Sequence, residues 1–358
     1  MKLFPALLLL GSALVDANQS FAAVEIVAGA PVTEAVSEPF SVDFDAKGVL
    51  HGVEFTRSNR VFRVINGKVE FIAGVQHVAD EKGPPDLAVN DGADPLKAVF
   101  KGMHDIQITR EGKALIGDSF NHRVRMLDLN TGHVTTIAGT GKPGFGGDNG
   151  PATAASFNIT MTASLSPDQT RYYIADIGNS RTRMVDLSSG KVTTVAGNGK
   201  KGLPIDDANG LESPTGDTRA VTQARDGTLY ILLRGGNSLV ALKDGKLRTV
   251  VNAAGKSGYA GDGGPGREAL MNGPKYVAMD LSDNVLICDT ENHCVRRYSP
   301  KTGMIDLIAG APPKAGNTVG TTFLDTQLRR PHGVRMGPDG KLYIADTYNN
   351  RVLRAEYK

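Results

Sequence analysis

Residues 342–351 read Leu-Tyr-Ile-Ala-Asp-Thr-Tyr-Asn-Asn-Arg, and close copies of this stretch recur along the whole chain. In five of the six copies a strand-like run ends at an acidic anchor residue, and in three of these a short turn then leads into an Arg-Val pair. The clearest further copies lie at 114–123, 172–181 and 285–294, and degraded copies surround Glu54 and Leu233. The anchors recur at intervals of 56 to 64 residues, a regular period that predicts a repeat architecture.

Each repeat contains four runs with the composition of β-strands. In the last repeat, residues 332–336, 341–346 and 351–354 are three such runs, separated by turns rich in Gly, Pro, Asp and Asn. A fourth run has its own signature, Val-Thr-Thr-Ile-Ala-Gly at 134–139 and Val-Thr-Thr-Val-Ala-Gly at 192–197. Four antiparallel strands per repeat are typical of one propeller blade. The sequence therefore predicts an all-β protein, a six-bladed β-propeller.

The two ends of the chain complement each other. The last repeat stops after its third run, and a matching fourth run, Val-Glu-Ile-Val-Ala-Gly, lies at 24–29. We therefore expect the N-terminal strand to complete the last blade and close the ring without an unpaired edge. Residues 23–358 would then form a single domain.

The first 22 residues are typical of an export signal. Lys2 precedes an apolar stretch, and Ser20, Phe21 and Ala22 provide a cleavage site after Ala22. The apolar stretch has about 13 residues, against roughly 20 needed to cross a bilayer. We expect a secreted or periplasmic protein that is not inserted in a membrane after cleavage.

The composition argues against a nucleic-acid partner and leaves open whether the two cysteines form a disulfide. The 40 Lys and Arg residues nearly balance 38 Asp and Glu residues, and no basic run stands out, so the chain lacks the charge pattern of a nucleic-acid binder. Its two cysteines, Cys288 and Cys294, flank one predicted turn. They form either a cross-strand disulfide or two unrelated substitutions within the repeat.

The pattern Ala-Asp-x-x-Asn-x-Arg-Val, followed by a Val-x-x-Ile-Ala-Gly strand, resembles the NHL-repeat family over roughly residues 24–358. The resemblance implies a propeller. Its implications for function are broad, because such propellers bind peptides, proteins or RNA, and a few are lyases. The fourth repeat departs from the pattern, since Leu233 and Ser238 replace the Asp and the Arg.

The start of each innermost strand should open at the mouth of the central channel. Aligning the repeats places six residues of five types there: Phe40, His104, Met161, Arg219, Lys275 and His332. Scaffold positions should look alike in every repeat, so this variety indicates a ligand site or a solvated rim.

The chemistry of these residues favours an acidic ligand. Arg219 can hold a carboxylate through two hydrogen bonds while Lys275 adds a point charge. His104, oriented by Asp105, and His332 complete the predicted binding site. We expect an acidic small molecule, or a peptide or protein partner.

An enzymatic alternative uses the same mouth. His104 or His332 would act as a base, and Tyr276 would protonate a leaving oxygen. The protein would then be a lyase or hydrolase acting on a carboxylate-bearing substrate or a lactone.

A divalent metal is a further hypothesis. His104 and His332 are candidate ligands for zinc or copper, although a stable zinc site needs three or four ligands. The Gly-rich loops around Asp148 and Asp262 are candidates for calcium, or are ordinary turns between blades.

The remaining polar residues of the repeats are interpreted as structural. The recurring aspartates are expected to shape turns, and His122 and His293 are expected to face solvent. The aspartates concerned are Asp118, Asp176, Asp289 and Asp346.

Overall fold

The computed structural model describes residues 23–31, 36–76, 91–92 and 94–357. The predicted export signal, residues 1–22, lies outside these ranges. The described residues form six antiparallel sheets, and the innermost strand of each sheet packs against that of the next around a closed ring. The predicted six-bladed β-propeller is confirmed.

The strand bounds follow the repeat. β1 is Glu25–Ala28. Blade 1 contains β2 (Pro39–Phe44), β3 (Leu50–Glu54), β4 (Val61–Ile65) and β5 (Lys68–Ala73). Blade 2 contains β6 (Met103–Ile108), β7 (Lys113–Asp118), β8 (Arg123–Asp128) and β9 (Val134–Ala138). Blade 3 contains β10 (Thr160–Leu165), β11 (Arg171–Asp176), β12 (Arg181–Asp186) and β13 (Val192–Ala196).

The second half of the ring repeats the pattern with one addition. Blade 4 contains β14 (Thr218–Gln223), β15 (Leu229–Leu233), β16 (Ser238–Lys243) and β17 (Lys246–Val251). Blade 5 contains β18 (Gly264–Pro265), β19 (Tyr276–Met279), β20 (Val285–Asp289), β21 (Cys294–Tyr298) and β22 (Met304–Ala309), with β18 as a short fifth strand outside β22. Blade 6 contains β23 (Gly333–Met336), β24 (Lys341–Asp346) and β25 (Arg351–Glu356).

Helical structure in the described ranges is limited to 3-10 turns of three residues. They are Pro95–Lys97, Ser119–Asn121, Ala152–Ala154, Ile177–Asn179, Gly266–Glu268, Thr290–Asn292 and Thr347–Asn349. None of these turns has the length or the apolar character needed to span a bilayer.

The N-terminal strand completes blade 6, as predicted. β1 pairs antiparallel with β25, with Glu25 opposite Arg354 and Ile26 opposite Leu353. The Glu25 carboxylate also accepts a hydrogen bond from the Arg354 guanidinium. Residues from the start and the end of the chain therefore share one sheet.

The hydrophobic core lies between neighbouring blades. One cluster joins blades 1 and 2 and includes Phe40, Val53, Ile106 and Ile116, all nearly or fully buried. Alternate residues of a strand point to opposite faces of its sheet, so both faces of each blade contribute to such clusters. This packing fixes the blades around the axis.

The recurring aspartates have the structural role predicted for them. Asp176 accepts hydrogen bonds from the backbone N–H of Asn158 at 2.8 Å and from Nδ2 of Asn179 at 2.8 Å. It also lies 3.5 Å from the guanidinium of Arg183, which is fully buried. Each aspartate therefore ties a turn to the strand preceding it.

The loop carboxylates proposed as calcium ligands are paired with arginines. Asp148 lies 2.7 Å from Arg183, and Asp262 lies 2.8 Å from Arg296. Both arginine side chains are completely buried. Each loop carboxylate therefore already has a cation of the protein as its partner.

The expectation that His122 and His293 face solvent is wrong. Both are partly buried, and Nδ1 of each accepts a hydrogen bond from a backbone N–H of the next blade: Ile159 at 3.0 Å and Arg330 at 3.1 Å. At the equivalent position of blade 6, Oδ1 of Asn350 accepts from the N–H of Glu38 at 2.9 Å. We call this contact the interblade clasp. It occurs in blades 1, 2, 4, 5 and 6, through Asn59, His122, Asn237, His293 and Asn350.

The cysteines do not form a disulfide. Both are free and buried, and burial raises the pKa of each thiol well above its ordinary value. In the β20–β21 register Cys288 lies opposite Val295, while Cys294 lies opposite Asp289. The two side chains are thus one residue out of register and point to opposite faces of the sheet.

Candidate functional site

All six predicted rim residues line one cavity at the end of the channel. The cavity has a volume of about 840 Å³ and receives side chains from every blade. The rim residues that line it are Phe40, His104, Met161, Arg219, Lys275 and His332. The alignment of repeats therefore places residues from distant parts of the chain around one concavity.

A left-handed residue precedes each rim residue by two positions. The φ angles of these six residues lie between 47° and 63°. They are Glu38, Gly102, Ile159, Asp217, Gly273 and Arg330. Left-handed backbone is uncommon outside glycine and strained for a β-branched residue such as Ile159. This turn directs each innermost strand into the ring from the same face.

Three of the rim residues are the extra, unpaired residues of β-bulges. In the register of blade 1, Pro39 lies opposite Glu54 and Ser41 lies opposite Val53, so Phe40 is the extra residue. The same irregularity makes His104 and Arg219 the extra residues of β6 and β14. A bulge re-aims the side chain of the unpaired residue, and here it turns that side chain toward the cavity.

Arg219 is the exceptional charge of the site. Its side chain is only 3 % exposed, and within the described ranges it forms no ion pair and its Nε has no hydrogen-bond partner. Its Nη1 donates to the sulfur of Met161, and its guanidinium carbon lies 5.7 Å from the ring centre of Phe40. Burial lowers its pKa to about 9, so it remains a cation at neutral pH.

The neighbouring cations each pair with a carboxylate, and two of them share the same one. Lys275 lies 2.7 Å from Glu291, which also pairs with Arg330. Burial lowers the pKa of Lys275 to about 8, although Glu291 opposes that shift. Arg234 lies 3.1 Å from Asp217. These pairs leave Arg219 as the buried cation of the site that has no carboxylate partner among the described residues, while the unpaired Lys201 is exposed to water.

Both rim histidines are buried and neutral. Nδ1 of His104 lies 2.7 Å from the carbonyl oxygen of Gly102, and Nδ1 of His332 lies 2.8 Å from that of Arg330. A carbonyl oxygen only accepts hydrogen bonds, so Nδ1 carries the proton and Nε2 has a free lone pair. Burial, reinforced by nearby cations that include Arg219, lowers the pKa of both rings well below its ordinary value.

Asp105 and Tyr276 do not belong to the cavity lining, which corrects two sequence predictions. Asp105 directly follows the bulge residue His104, and its carboxylate is fully buried. It accepts hydrogen bonds from the Tyr276 hydroxyl at 2.8 Å and the Ser41 hydroxyl at 3.0 Å. Asp105 and Tyr276 come from opposite blades, so this bond crosses the channel axis away from the cavity lining.

Sequence reasoning missed the part of the lining that comes from blade 4. Arg234, Gly235 and Gly236 line the cavity and directly follow Leu233, the residue that replaces the repeated aspartate. The loop before this blade adds Leu203 and Asp217. The sequence does indicate this part of the lining, because the fourth repeat departs from the consensus at Leu233. A repeat without the structural aspartate can form a cavity wall instead.

Aromatic side chains form another part of the lining. The ring centre of Phe40 lies 4.8 Å from that of Phe55 and 4.3 Å from that of His332. The ring of His104 lies 4.7 Å from Phe55 and 5.7 Å from Phe120. We call Phe40, Phe55 and Phe120 the aromatic wall. Phe55 and Phe120 follow the second strands of blades 1 and 2, one and two residues beyond the anchors Glu54 and Asp118.

The metal hypothesis lacks a third ligand among the residues described. Within these ranges no group of three or more His, Cys, Asp or Glu side chains is arranged to hold an ion. His104 and His332 alone would supply two of the three or four ligands of a stable zinc site.

Comparison with known proteins identifies the repeat. Residues 328–354 match the family model described as NHL repeat. NHL repeat-containing protein 2 of Bos taurus is 26 % identical over 267 residues, which cover 66 % of this chain and 36 % of that protein. Protein SUPPRESSOR OF QUENCHING 1, chloroplastic, of Arabidopsis thaliana is 25 % identical over 303 residues, covering 77 % of this chain and 26 % of that protein. The chain thus spans between about a quarter and two fifths of the length of these relatives.

Solved structures share the architecture. An auxiliary nutrient binding protein from Bacteroides thetaiotaomicron superposes with a TM-score of 0.64 at 14 % identity, over 90 % of this chain and 70 % of that one. A streptogramin B lyase superposes with a TM-score of 0.51 at 15 % identity, over 92 % and 96 % of the two chains. The chain is thus a six-bladed β-propeller with a match to the NHL repeat at residues 328–354, and it is similar to NHL repeat-containing proteins.

Proposed function

We propose that this protein is an exported binding protein that holds an acidic small molecule, or the carboxylate of a peptide or protein, in the cavity. The observation that supports the proposal is Arg219, a buried guanidinium without a carboxylate partner among the described residues. Burying a charge is costly unless it is paired and hydrogen-bonded. An anionic ligand would supply the missing partner.

The charges around Arg219 favour the same ligand. The described lining residues include four cationic side chains, Lys201, Arg219, Arg234 and Lys275, and one carboxylate, Asp217. Cations gathered in a concave site with low-dielectric walls focus positive potential on an incoming anion. A guanidinium also matches the geometry of a carboxylate, with two parallel hydrogen bonds.

Arg219→Gln tests the proposal. We expect the variant to bind carboxylates roughly 10- to 100-fold more weakly by calorimetry, because a charge-assisted hydrogen bond is lost. Its thermal stability should not fall, since the substitution removes an unpaired buried charge. Arg225→Gln is the matched control, because Arg225 pairs with Asp283 on an exposed surface and does not line the cavity. Equal affinities of Arg219→Gln and the unaltered protein would refute the proposal.

A lyase or hydrolase is the second candidate, supported by the neutral histidines. Each has an Nε2 lone pair that could accept a proton from a bound carboxylate-bearing substrate or a lactone. The test is an activity screen on uronic-acid glycans and lactones, repeated with His104→Gln and His332→Gln. Metal analysis of the purified protein tests the zinc and copper hypotheses in the same samples. Turnover that both variants retain would exclude these histidines as bases.

Export is proposed from the first 22 residues. Mass spectrometry of the protein recovered from the periplasm or the medium should give a chain that begins at Ala23. A full-length chain that stays with the cytosolic fraction would contradict export without affecting the proposed ligand.

A further inference from the structure

We infer that the ligand is a monocarboxylate with a rigid, apolar, ring-containing body. Its carboxylate lies on Arg219, and its body lies against the aromatic wall. This inference rests on the proposed function and narrows the acidic ligand to one chemical class.

The number of uncompensated cations sets the charge of the ligand. Lys275 and Arg234 each have a carboxylate within hydrogen-bonding distance, whereas Arg219 has none among the described residues. The two rim histidines are held neutral by burial. Lys201 also lines the cavity but is exposed to water, so one negative charge on Arg219 completes the buried part of the site.

The lining around Arg219 sets the chemistry of the body. The Phe40 ring lies 5.7 Å from the guanidinium carbon and contacts both rim imidazoles. Phe55 and Phe120 continue this apolar surface, and Met161, Ile159 and Ile177 pack together in blade 3, the next blade of the ring. Sugar acids carry hydroxyl groups all around the ring, and those groups would lose water at these walls without gaining partners.

Local backbone features maintain the aromatic wall. Gly102 has a φ of 60°, and a Cβ atom there would lie 2.3 Å from the ring of Phe120. The absence of a side chain at Gly102 is what allows the Phe120 ring to pack beside His104, 5.7 Å away between ring centres. An aromatic ring stacked on this wall gains stabilisation beyond that of its area burial, which favours a flat, ring-containing body over a flexible chain.

The size of the cavity favours a body of more than one ring. Ligand sites of about 300–1,000 Å³ hold drug-sized molecules, and this cavity has a volume of about 840 Å³. A fused two-ring acid such as 1-naphthylacetate is therefore a suitable probe. Its amide, 1-naphthylacetamide, has nearly the same shape without the charge, and glucuronate has the charge without the apolar body.

Calorimetry with these three probes tests the inference. We expect 1-naphthylacetate to bind at least tenfold more tightly than either 1-naphthylacetamide or glucuronate. In Arg219→Gln the difference between acid and amide should disappear. In Phe120→Leu the affinity for 1-naphthylacetate should fall several-fold, with no change for glucuronate. Phe145→Leu is the control, because Phe145 is an exposed aromatic stacked on Arg181 outside the cavity.

The outcomes separate this inference from the proposed function. If glucuronate binds more tightly than 1-naphthylacetate, and does so through Arg219, the monocarboxylate with an apolar body is wrong and the acidic-ligand proposal stands. If 1-naphthylacetamide binds as tightly as the acid and Arg219→Gln changes nothing, both are wrong. If Phe145→Leu weakens 1-naphthylacetate binding as much as Phe120→Leu does, the ligand does not bind against the aromatic wall and the inference is wrong.

Discussion

At the scale of single residues, the site depends on left-handed backbone conformations that are unfavourable for several of the residues that adopt them. Ile159 lines the cavity with a φ of 63°, although β-branched side chains clash with the backbone in this region. Its equivalents in the other blades include glycines at 102 and 273 and an aspartate at 217. The position is left-handed in every blade, so ring geometry rather than local preference determines it.

Replacing Ile159 should therefore relieve strain. Ile159→Asn places a residue that tolerates the left-handed region, and we expect the free energy of unfolding to rise by about 1 kcal/mol, measured by urea denaturation. Ile177→Asn is the comparison, because Ile177 lines the same cavity from a 3-10 turn with ordinary φ. That variant should lose stability, and a loss in Ile159→Asn as well would contradict the strain argument.

At the scale of the element, blades 2, 3 and 5 each bury an arginine between two carboxylates, whereas blade 4 has apolar residues in place of the arginine and of one carboxylate. Blade 3 contains Arg183 between Asp176 and Asp148. Blade 4 has Leu233 and Val240 at the positions of Asp176 and Arg183, and both are buried. The ion-pair cluster of blade 3 and the apolar pair of blade 4 therefore fill equivalent positions in the two blades.

Exchanging one solution for the other gives a double-mutant test. Asp176→Leu should cost about 3 kcal/mol, because it removes one of the two carboxylates beside a buried guanidinium. Asp176→Leu combined with Arg183→Val copies blade 4 and should cost less than the single change, because no buried charge is left short of partners. Thermal or urea unfolding measures the stability of both variants. If the double variant is less stable than Asp176→Leu, the unpaired buried guanidinium is not the cause of the stability loss in the single variant.

The interblade clasp should make stability depend on pH. Burial is the main cause that lowers the pKa of His122 and His293 below the ordinary value of 6.5. The unfolded chain therefore binds protons near pH 6.5 that the folded chain does not, so these residues lower stability as the pH falls below about 6.5. Asp176 and Asp289, with pKa values raised to about 6 by burial, act in the opposite direction at lower pH.

The double variant His122→Asn and His293→Asn should keep the clasp, since asparagine forms it in three other blades. We expect its Tm to fall less between pH 7.5 and 6.0 than that of the unaltered protein. His133→Asn, at an exposed histidine, is the control and should retain the original pH dependence. If the Tm of the double variant falls as much as that of the unaltered protein, other groups, such as the buried His104, determine the pH dependence between pH 7.5 and 6.0.

At the scale of the whole molecule, the repeat determines which features can be predicted from sequence. The period gave the number of blades, the closure by β1 and the six rim positions, because all of these depend on equivalence between repeats. The orientation of Asp105 and Tyr276 could not be obtained in this way, since a bulge beside His104 changes which side chain reaches the cavity. Nor could the ion pairs of Lys275 and Arg234, whose partners Glu291 and Asp217 occupy positions without a consensus.

Closure of the ring by β1 should be a condition for a stable propeller. Without residues 23–31, β25 would expose a full strand edge, and such edges are sites of aggregation. We expect a chain that begins at residue 36 to unfold at a markedly lower temperature and to aggregate, because its last blade has three strands. A synthetic peptide of residues 23–31 added in trans should restore the Tm by pairing as a strand, with Glu25 again beside Arg354. A peptide of scrambled sequence is the control, and a truncated chain as stable as the original would show that the other strands hold the ring closed without the N-terminal strand.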